Sequence, residues 1–179
     1  MLEVAGYTAV RLTPADAERL QPLLERCADY FLLADGAHPR PFEAVEELKA
    51  VPPNREVHDK FSFGVFDGDA CIAYLDLFRD YPKAGEWWIG FLLVDPGART
   101  RGLGTRLYRA GEELVRREQG TAILLGVLEQ NLRGQRFWGS LGFEEMSRSR
   151  YVSPISGQES VVLIMRQRFL NPDNRDLAC

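Results

Sequence analysis

The sequence predicts an α/β fold with a mixed sheet flanked by helices. Two long apolar runs without alternation, Trp87–Val94 and Thr121–Leu128, read as strands buried on both faces. A segment of helical periodicity separates them, and alternating, strand-like runs lie at both ends of the chain.

Taken in order, Gly6–Leu12 alternates like a strand, and Thr13–Phe31 reads as a helix. Thr13 stands as its N-cap, Pro14 at its first position and Asp16 as the partner of a capping box. Pro22 removes a backbone donor and is expected to kink or divide that helix. Pro41–Val51 is a short second helix closed by Pro52-Pro53-Asn54. Lys60–Phe66 and Ala70–Phe78 are strands joined by the hairpin signal Asp67-Gly68-Asp69. After the strand ending at Val94, apolar residues at Leu103, Leu107, Ala110 and Leu114 mark one face of a helix. Asn131–Phe143 holds a short helix with Gly142 as its C-terminal stop, and Glu144–Val152 with Glu159–Phe169 forms a closing antiparallel pair. The expected order is β-α-α-β-β-β-α-β-α-β-β, one domain over residues 1–170 with a frayed polar tail at 171–179.

With 179 residues, 45% hydrophobic and 27% charged, the chain has the balance of one soluble globular domain. No apolar run approaches the roughly 18 residues of a membrane span, and the N-terminus lacks a signal-peptide pattern, so a cytoplasmic protein without membrane contact is expected. Cys27, Cys71 and Cys179 have no metal-like spacing; no metal site is expected, and Cys27 and Cys71 read as reduced core thiols. His38 and His58 fall in expected loops and are not read as catalytic. Charge is asymmetric: residues 1–98 carry a net −8 and residues 99–179 a net +4, every cation in the latter being arginine. That pattern suits an anionic ligand at the C-terminal half and a cationic one at the N-terminal half. Nucleic acid is disfavoured, because the pI is 5.3 and the arginines are not interleaved with aromatics.

The most informative stretch is Arg99-x-x-Gly102-x-Gly104, where the first buried strand hands over to the long helix. A helix N-terminus offers unpaired N–H groups and the positive end of its dipole, and glycines let a backbone approach phosphate oxygens. Arg99, Arg101 and Arg106 add charged donors, so the stretch suits a pyrophosphate. A Walker loop would need a lysine that is absent, and a dinucleotide fingerprint would need glycine where Leu107 stands.

Preceded by Val94-Asp95-Pro96, the stretch resembles the acyl-CoA signature of the GNAT superfamily of N-acetyltransferases. A second block, Asn131-x-x-Gly134-x-x-Phe137-Trp138-x-x-Leu141-Gly142-Phe143, is similar to the second block of that family at the expected distance. Element order agrees from Tyr7 to Phe169. The resemblance implies a mostly antiparallel central sheet and acetyl-CoA as co-substrate. The acceptor would be a primary amine of a small molecule or peptide, attacking directly in a ternary complex. A homodimer is compatible with it.

The resemblance also implies site residues. The pantetheine arm would pair with the backbone of Leu92 and Val94, whose N–H groups polarise the thioester carbonyl. Arg99, Thr100, Arg101, Gly102, Leu103, Gly104 and Thr105 would hold the pyrophosphate. Asn131 would bond the pantetheine, and Gln135, Phe137 and Trp138 would flank the cofactor. Glu86, then Asp76, are the candidates for the base that takes a proton from the acceptor ammonium. The stretch Asp29–Gly36 would supply aromatics and acids to the acceptor pocket. Two departures stand out. Gly134 replaces an alanine, and Trp138 occupies the place of a tyrosine that protonates the leaving thiolate; an indole N–H is no useful acid. The competing reading is a noncatalytic acyl-CoA-binding module.

Overall fold

A computed structural model describes residues 2–169 apart from Ala5, so the expected tail at 171–179 lies outside the described residues. Its elements are β1 (Thr8–Arg11), α1 (Ala17–Arg26), α2 (Ala28–Asp35), α3 (Glu43–Lys49), β2 (Lys60–Asp67), β3 (Ala70–Phe78) and β4 (Glu86–Val94). There follow α4 (Leu103–Arg117), β5 (Ala122–Leu128), α5 (Leu132–Ser140), β6 (Glu144–Val152) and β7 (Glu159–Arg168). The strands form one sheet in the order β1-β2-β3-β4-β5-β7-β6. Among the described residues only β4 and β5 are parallel, because α4 carries the chain across between them.

Each face of the sheet buries its own apolar layer. Leu103, Leu107 and Leu114 of α4 and Trp138 of α5 pack with Leu75, Leu77, Trp87, Ile89, Ile123 and Leu125. The face of α4 expected from its periodicity is the buried one. On the opposite side Leu20, Leu23, Leu24, Phe31 and Leu48 from α1, α2 and α3 cover Tyr74 and Leu93. β4 is therefore covered on both faces, which is why its sequence does not alternate.

The start of α1 forms as its sequence predicts. The Thr13 N–H and hydroxyl both donate to Asp16 Oδ2 at 2.9 Å, and a single 3-10 turn over Pro14–Asp16 leads into the helix. The division of the helix is displaced from its expected place. Pro22 lies inside α1 on an exposed face, where water can satisfy the Glu18 carbonyl that loses its partner. The break comes at Cys27, whose backbone (φ −90°, ψ 26°) leaves the helical region. Three helices therefore precede β2 rather than two. At the other end of the chain α5 closes as a Schellman motif. Gly142 N–H donates to Gly139 O and Phe143 N–H to Trp138 O, with Gly142 at φ +92°.

Candidate active site

The parallel pair β4–β5 is incomplete. Residues Glu86–Ile89 pair with Ala122–Leu125, and beyond them the two strands part. The space between their C-terminal ends is a cleft of about 400 Å³, lined along one side by Gly90–Val94 and along the other by Leu125–Leu128. Asp95 N–H bonds back to Ile72 O on β3. By alternation, the backbone groups of Leu92 and Val94 then face the cleft, where no strand lies opposite. A peptide-like arm can add there as a sheet strand would.

A bulge aims this edge. Leu77 pairs with Ile89 and Leu75 with Leu92, so Gly90 and Phe91 together oppose the single residue Asp76. Phe91 N–H donates to Asp76 Oδ1 at 2.5 Å. A Cβ on Gly90 would stand 2.7 Å from that oxygen and 2.9 Å from the Phe78 ring, so glycine is required for the close approach.

The mouth of the cleft is the N-terminus of α4. Its N-cap is Gly102 at φ +75°, with no side-chain cap, so the first-turn N–H groups of Leu103, Gly104 and Thr105 remain open to a ligand. Thr100 also adopts a positive φ of +69°, a strained conformation for a β-branched residue. All five of Thr100, Gly102, Leu103, Gly104 and Thr105 line the cleft. A Cβ on Gly104 would touch the Phe137 ring at 3.5 Å, closing the floor between α4 and α5.

The arginines are arranged differently from the expectation. The guanidinium of Arg99 forms a two-point ion pair with Asp29 of α2, and its Nε donates to Val94 O at 2.9 Å. Arg99 therefore ties α2 to the end of β4, and hydrogen bonding from it holds the Asp29 carboxyl below its ordinary pKa. Arg101 and Arg106 do not line the cleft; Arg106 donates to Arg101 O at 3.2 Å. The cation that does reach the lining, besides Arg99, is Arg133 in the first turn of α5, which sequence reasoning missed. Its position inside the Asn131 block was the available signal.

Two expected contacts are committed elsewhere. Asn131 accepts the Gly134 N–H at 2.9 Å as the N-cap of α5, leaving its amide NH2 as the group able to donate. A Cβ on residue 134 would meet that amide nitrogen at 2.6 Å, which explains glycine there. Gln135 lies outside the lining and donates to the carbonyls of Leu128 (3.2 Å) and Glu129 (2.6 Å) at the end of β5. Phe137 and Trp138 do line the cleft, and Trp138 is packed edge-on among Tyr108, Phe137 and Phe143. From α2, Asp29, Tyr30 and Leu33 complete the wall, with the Tyr30 ring against Phe91. Burial raises the Tyr30 pKa, so its phenol stays a neutral donor.

The two carboxylates expected near the chemistry separate. Glu86 begins β4, about 20 Å along the strand from Leu92 at 3.3 Å per residue. It is buried against Arg166 of β7 at 2.6 Å, with Lys83 at 3.5 Å, and does not line the cleft. Burying its charge demanded a partner, and Arg166 is that partner. Asp76 instead holds the bulge. Behind it lies a buried group that sequence reasoning missed: Lys60 Nζ sits 2.9 Å from both Asp76 Oδ2 and Glu47 Oε1. Tyr74 OH donates toward Glu47 Oε1 at 3.2 Å.

Residues 20–143 match the family model described as the acetyltransferase (GNAT) family. The chain belongs to that family. Among curated proteins none matches the sequence. The GNAT fold is shared with the ribosomal-protein-S18-alanine N-acetyltransferase of Escherichia coli, at TM-score 0.70 and 17% identity over 97% of this chain and 99% of that one. An acetyltransferase from Thermus thermophilus aligns at TM-score 0.69 and 20% identity, covering 93% and 99%. The PaiA N-acetyltransferase of Thermoplasma acidophilum, solved in complex with coenzyme A, aligns at 0.66 and 16%, covering 92% and 99%. As a GNAT domain the protein is an acyltransferase. Among the described residues no helix is long and apolar enough to cross a membrane.

Proposed function

We propose that the protein transfers an acetyl group from acetyl-CoA to a primary amine of a small molecule or peptide, by direct attack while both substrates are bound. The observation that carries this is the parted β4–β5 edge with the uncapped N-terminus of α4 at its mouth. One end offers the backbone of Leu92 and the N–H of Val94 to an amide-bearing arm, the Val94 carbonyl being held by Arg99, and the other offers N–H groups to a pyrophosphate. When bound, acetyl-CoA supplies an acyl carbon activated as a thioester.

In this reading Leu92 and Val94 N–H bind the arm and polarise the carbonyl. The N–H groups from Thr100 to Thr105 hold the pyrophosphate, with Arg133 providing the nearby positive charge. Asn131 donates through its amide. Asp76 is a positioning residue, since its grip on Phe91 N–H sets the bulge that turns the β4 edge toward the cleft. Trp138 needs no acidic function, because a thiol of ordinary pKa, about 8.5, can leave as the anion. Tyr30, which lines the cleft, supplies a hydrogen bond to that developing charge rather than a proton.

The test is thiol release across a panel of primary amines, alongside thermal denaturation. Acetyl-CoA should raise the melting temperature far more than ATP or NAD at equal concentration. Gly104→Val, which puts a branched side chain into the cleft against Phe137 and Val94, should abolish that shift with the fold retained. Acetyl-CoA binding without turnover of any amine would instead support a noncatalytic acyl-CoA-binding module. Equal shifts from all three nucleotides would remove the acyl-CoA assignment.

A further inference from the structure

A second cavity, of about 300 Å³, lies beside the first and shares Gly90 and Phe91 with it. It opens on the sheet face covered by α3. Its walls are Val51, Pro53, Phe78, Tyr81 and Trp88, apolar and largely aromatic, and its polar residues are Glu47, Lys60 and Asp76. Three elements bring those groups together: α3 contributes Glu47, β2 Lys60 and β3 Asp76. Their side chains are 12%, 3% and 1% exposed.

The charges in this group do not balance. Two carboxylates meet one ammonium, so one negative charge is in excess. The three N–H bonds of Lys60 go to Glu47 Oε1 (2.9 Å), Ala50 O (3.1 Å) and Glu47 O. Asp76 Oδ2 lies 2.9 Å from the same nitrogen yet receives none of those hydrogens, and it is buried without a hydrogen-bond partner. Asp76 Oδ1 is occupied by Phe91 N–H. An uncompensated charge in such surroundings is unfavourable by several kcal/mol unless a proton or a cation joins it. The group is therefore balanced either by a proton held on Glu47 or by a cation bound at the end that adjoins the bulge, and an arriving ammonium takes the place of the proton.

We propose that this cavity receives the acceptor as a primary ammonium bearing an aromatic group, and that Glu47 takes the proton the ammonium must lose. The inference rests on the acyl-CoA reading of the adjoining cleft. The ammonium binds against Asp76 Oδ2 and Glu47, and its aromatic group packs on Tyr81 and Trp88, which already stack edge to face at 5.7 Å. One proton passes from nitrogen to the Glu47 carboxylate. The freed lone pair forms the N–C bond while the C–S bond breaks with its electrons on sulfur. The second nitrogen proton goes to sulfur, giving one amide, one thiol and one proton on Glu47, which returns to solvent. Burial, with Asp76 alongside and Lys60 opposing, pushes the Glu47 carboxyl up to about 8, so it gives up its proton when the ammonium binds or the pH rises and can then take one from the amine. The titratable and charged groups around it are Lys60 from β2, Tyr74 and Asp76 from β3, Tyr81 from the following loop and, from α2, Tyr30.

Calorimetry with 2-phenylethylamine as probe, with coenzyme A present, tests this against the neutral 2-phenylethanol. The amine should bind wild type at least tenfold more tightly than the alcohol. Glu47→Gln should erase that preference and remove the ionisation near pH 8 from the kcat/KM profile, with the acetyl-CoA melting shift retained. Should Glu47→Gln fail to fold, Val51→Trp fills the cavity from its half-exposed wall and should abolish amine binding alone. The proposal is overturned if acetyl-CoA binds normally but the amine binds no better than the alcohol, or binds unchanged to either variant. Loss of acetyl-CoA binding in the wild type would instead overturn the reading of the cleft, and this proposal with it.

Discussion

At the scale of single residues, the site depends on what each side chain is already holding. Asn131 and Gln135 carry groups suited to a cofactor, yet one caps α5 and the other binds the end of β5. Arg99 has the charge for phosphate, but Asp29 engages it. Tyr30 was legible only as an aromatic in a useful stretch, and the fold sets it beside Phe91 in the wall of the cleft. On the proposed mechanism, Tyr30→Phe removes one hydrogen bond to a developing anion, an effect of about 1.5–3 kcal/mol. In rate terms kcat should fall by about 10- to 150-fold with acetyl-CoA affinity unchanged. An unchanged kcat would show that the thiolate is stabilised elsewhere.

At the scale of elements, local signals were strong and boundaries were set by packing. The Leu103, Leu107, Ala110, Leu114 face of α4 and the stop at Gly142 were readable because helical period and left-handed caps are local properties. The break at Cys27 was not readable. Nothing in a free thiol marks a helix end, and Pro22 is tolerated because its face meets water. Gly142→Ala places a Cβ at φ +92° and 3.3 Å from Gln167 Nε2. It should cost about 1 kcal/mol or more and lower the melting temperature by a few degrees. Because Gly142 is not among the residues lining the cleft, acetyl-CoA binding should persist. A melting temperature equal to wild type would contradict the strained cap.

For the whole molecule, the buried carboxyl pair couples the α3 side of the sheet to pH. Glu47 titrates near 4.5 when unfolded and is raised to about 8 when folded. Between those values the folded chain holds a proton the unfolded chain has lost, so stability should fall as pH rises through that window. The lowered carboxyls Asp16, Asp29 and Asp95 act with the opposite sign, and only below about pH 4. Lys60, raised by its two carboxylate neighbours against the effect of burial, acts only above pH 10. Urea midpoints from pH 5 to 8 should therefore decline in wild type and stay flatter in Glu47→Gln. Parallel curves would show that Glu47 ionises normally.

The sequence by itself determined the order of elements, the glycine turn at the head of α4 and the resemblance that places the chain among acetyltransferases. Those properties depend on residues within a few positions of one another, through period, capping and turn geometry. Tertiary structure alone decided which charges meet. Glu86 and Arg166 lie 80 positions apart, and Glu47, Lys60 and Asp76 come from three elements. A strand's alternation tells which face a residue takes, but not its partner across the sheet, and the bulge opposite Asp76 shifts even the face. Buried charge is unfavourable until it is paired, and pairing is a property of the assembled sheet, not of any local stretch of chain.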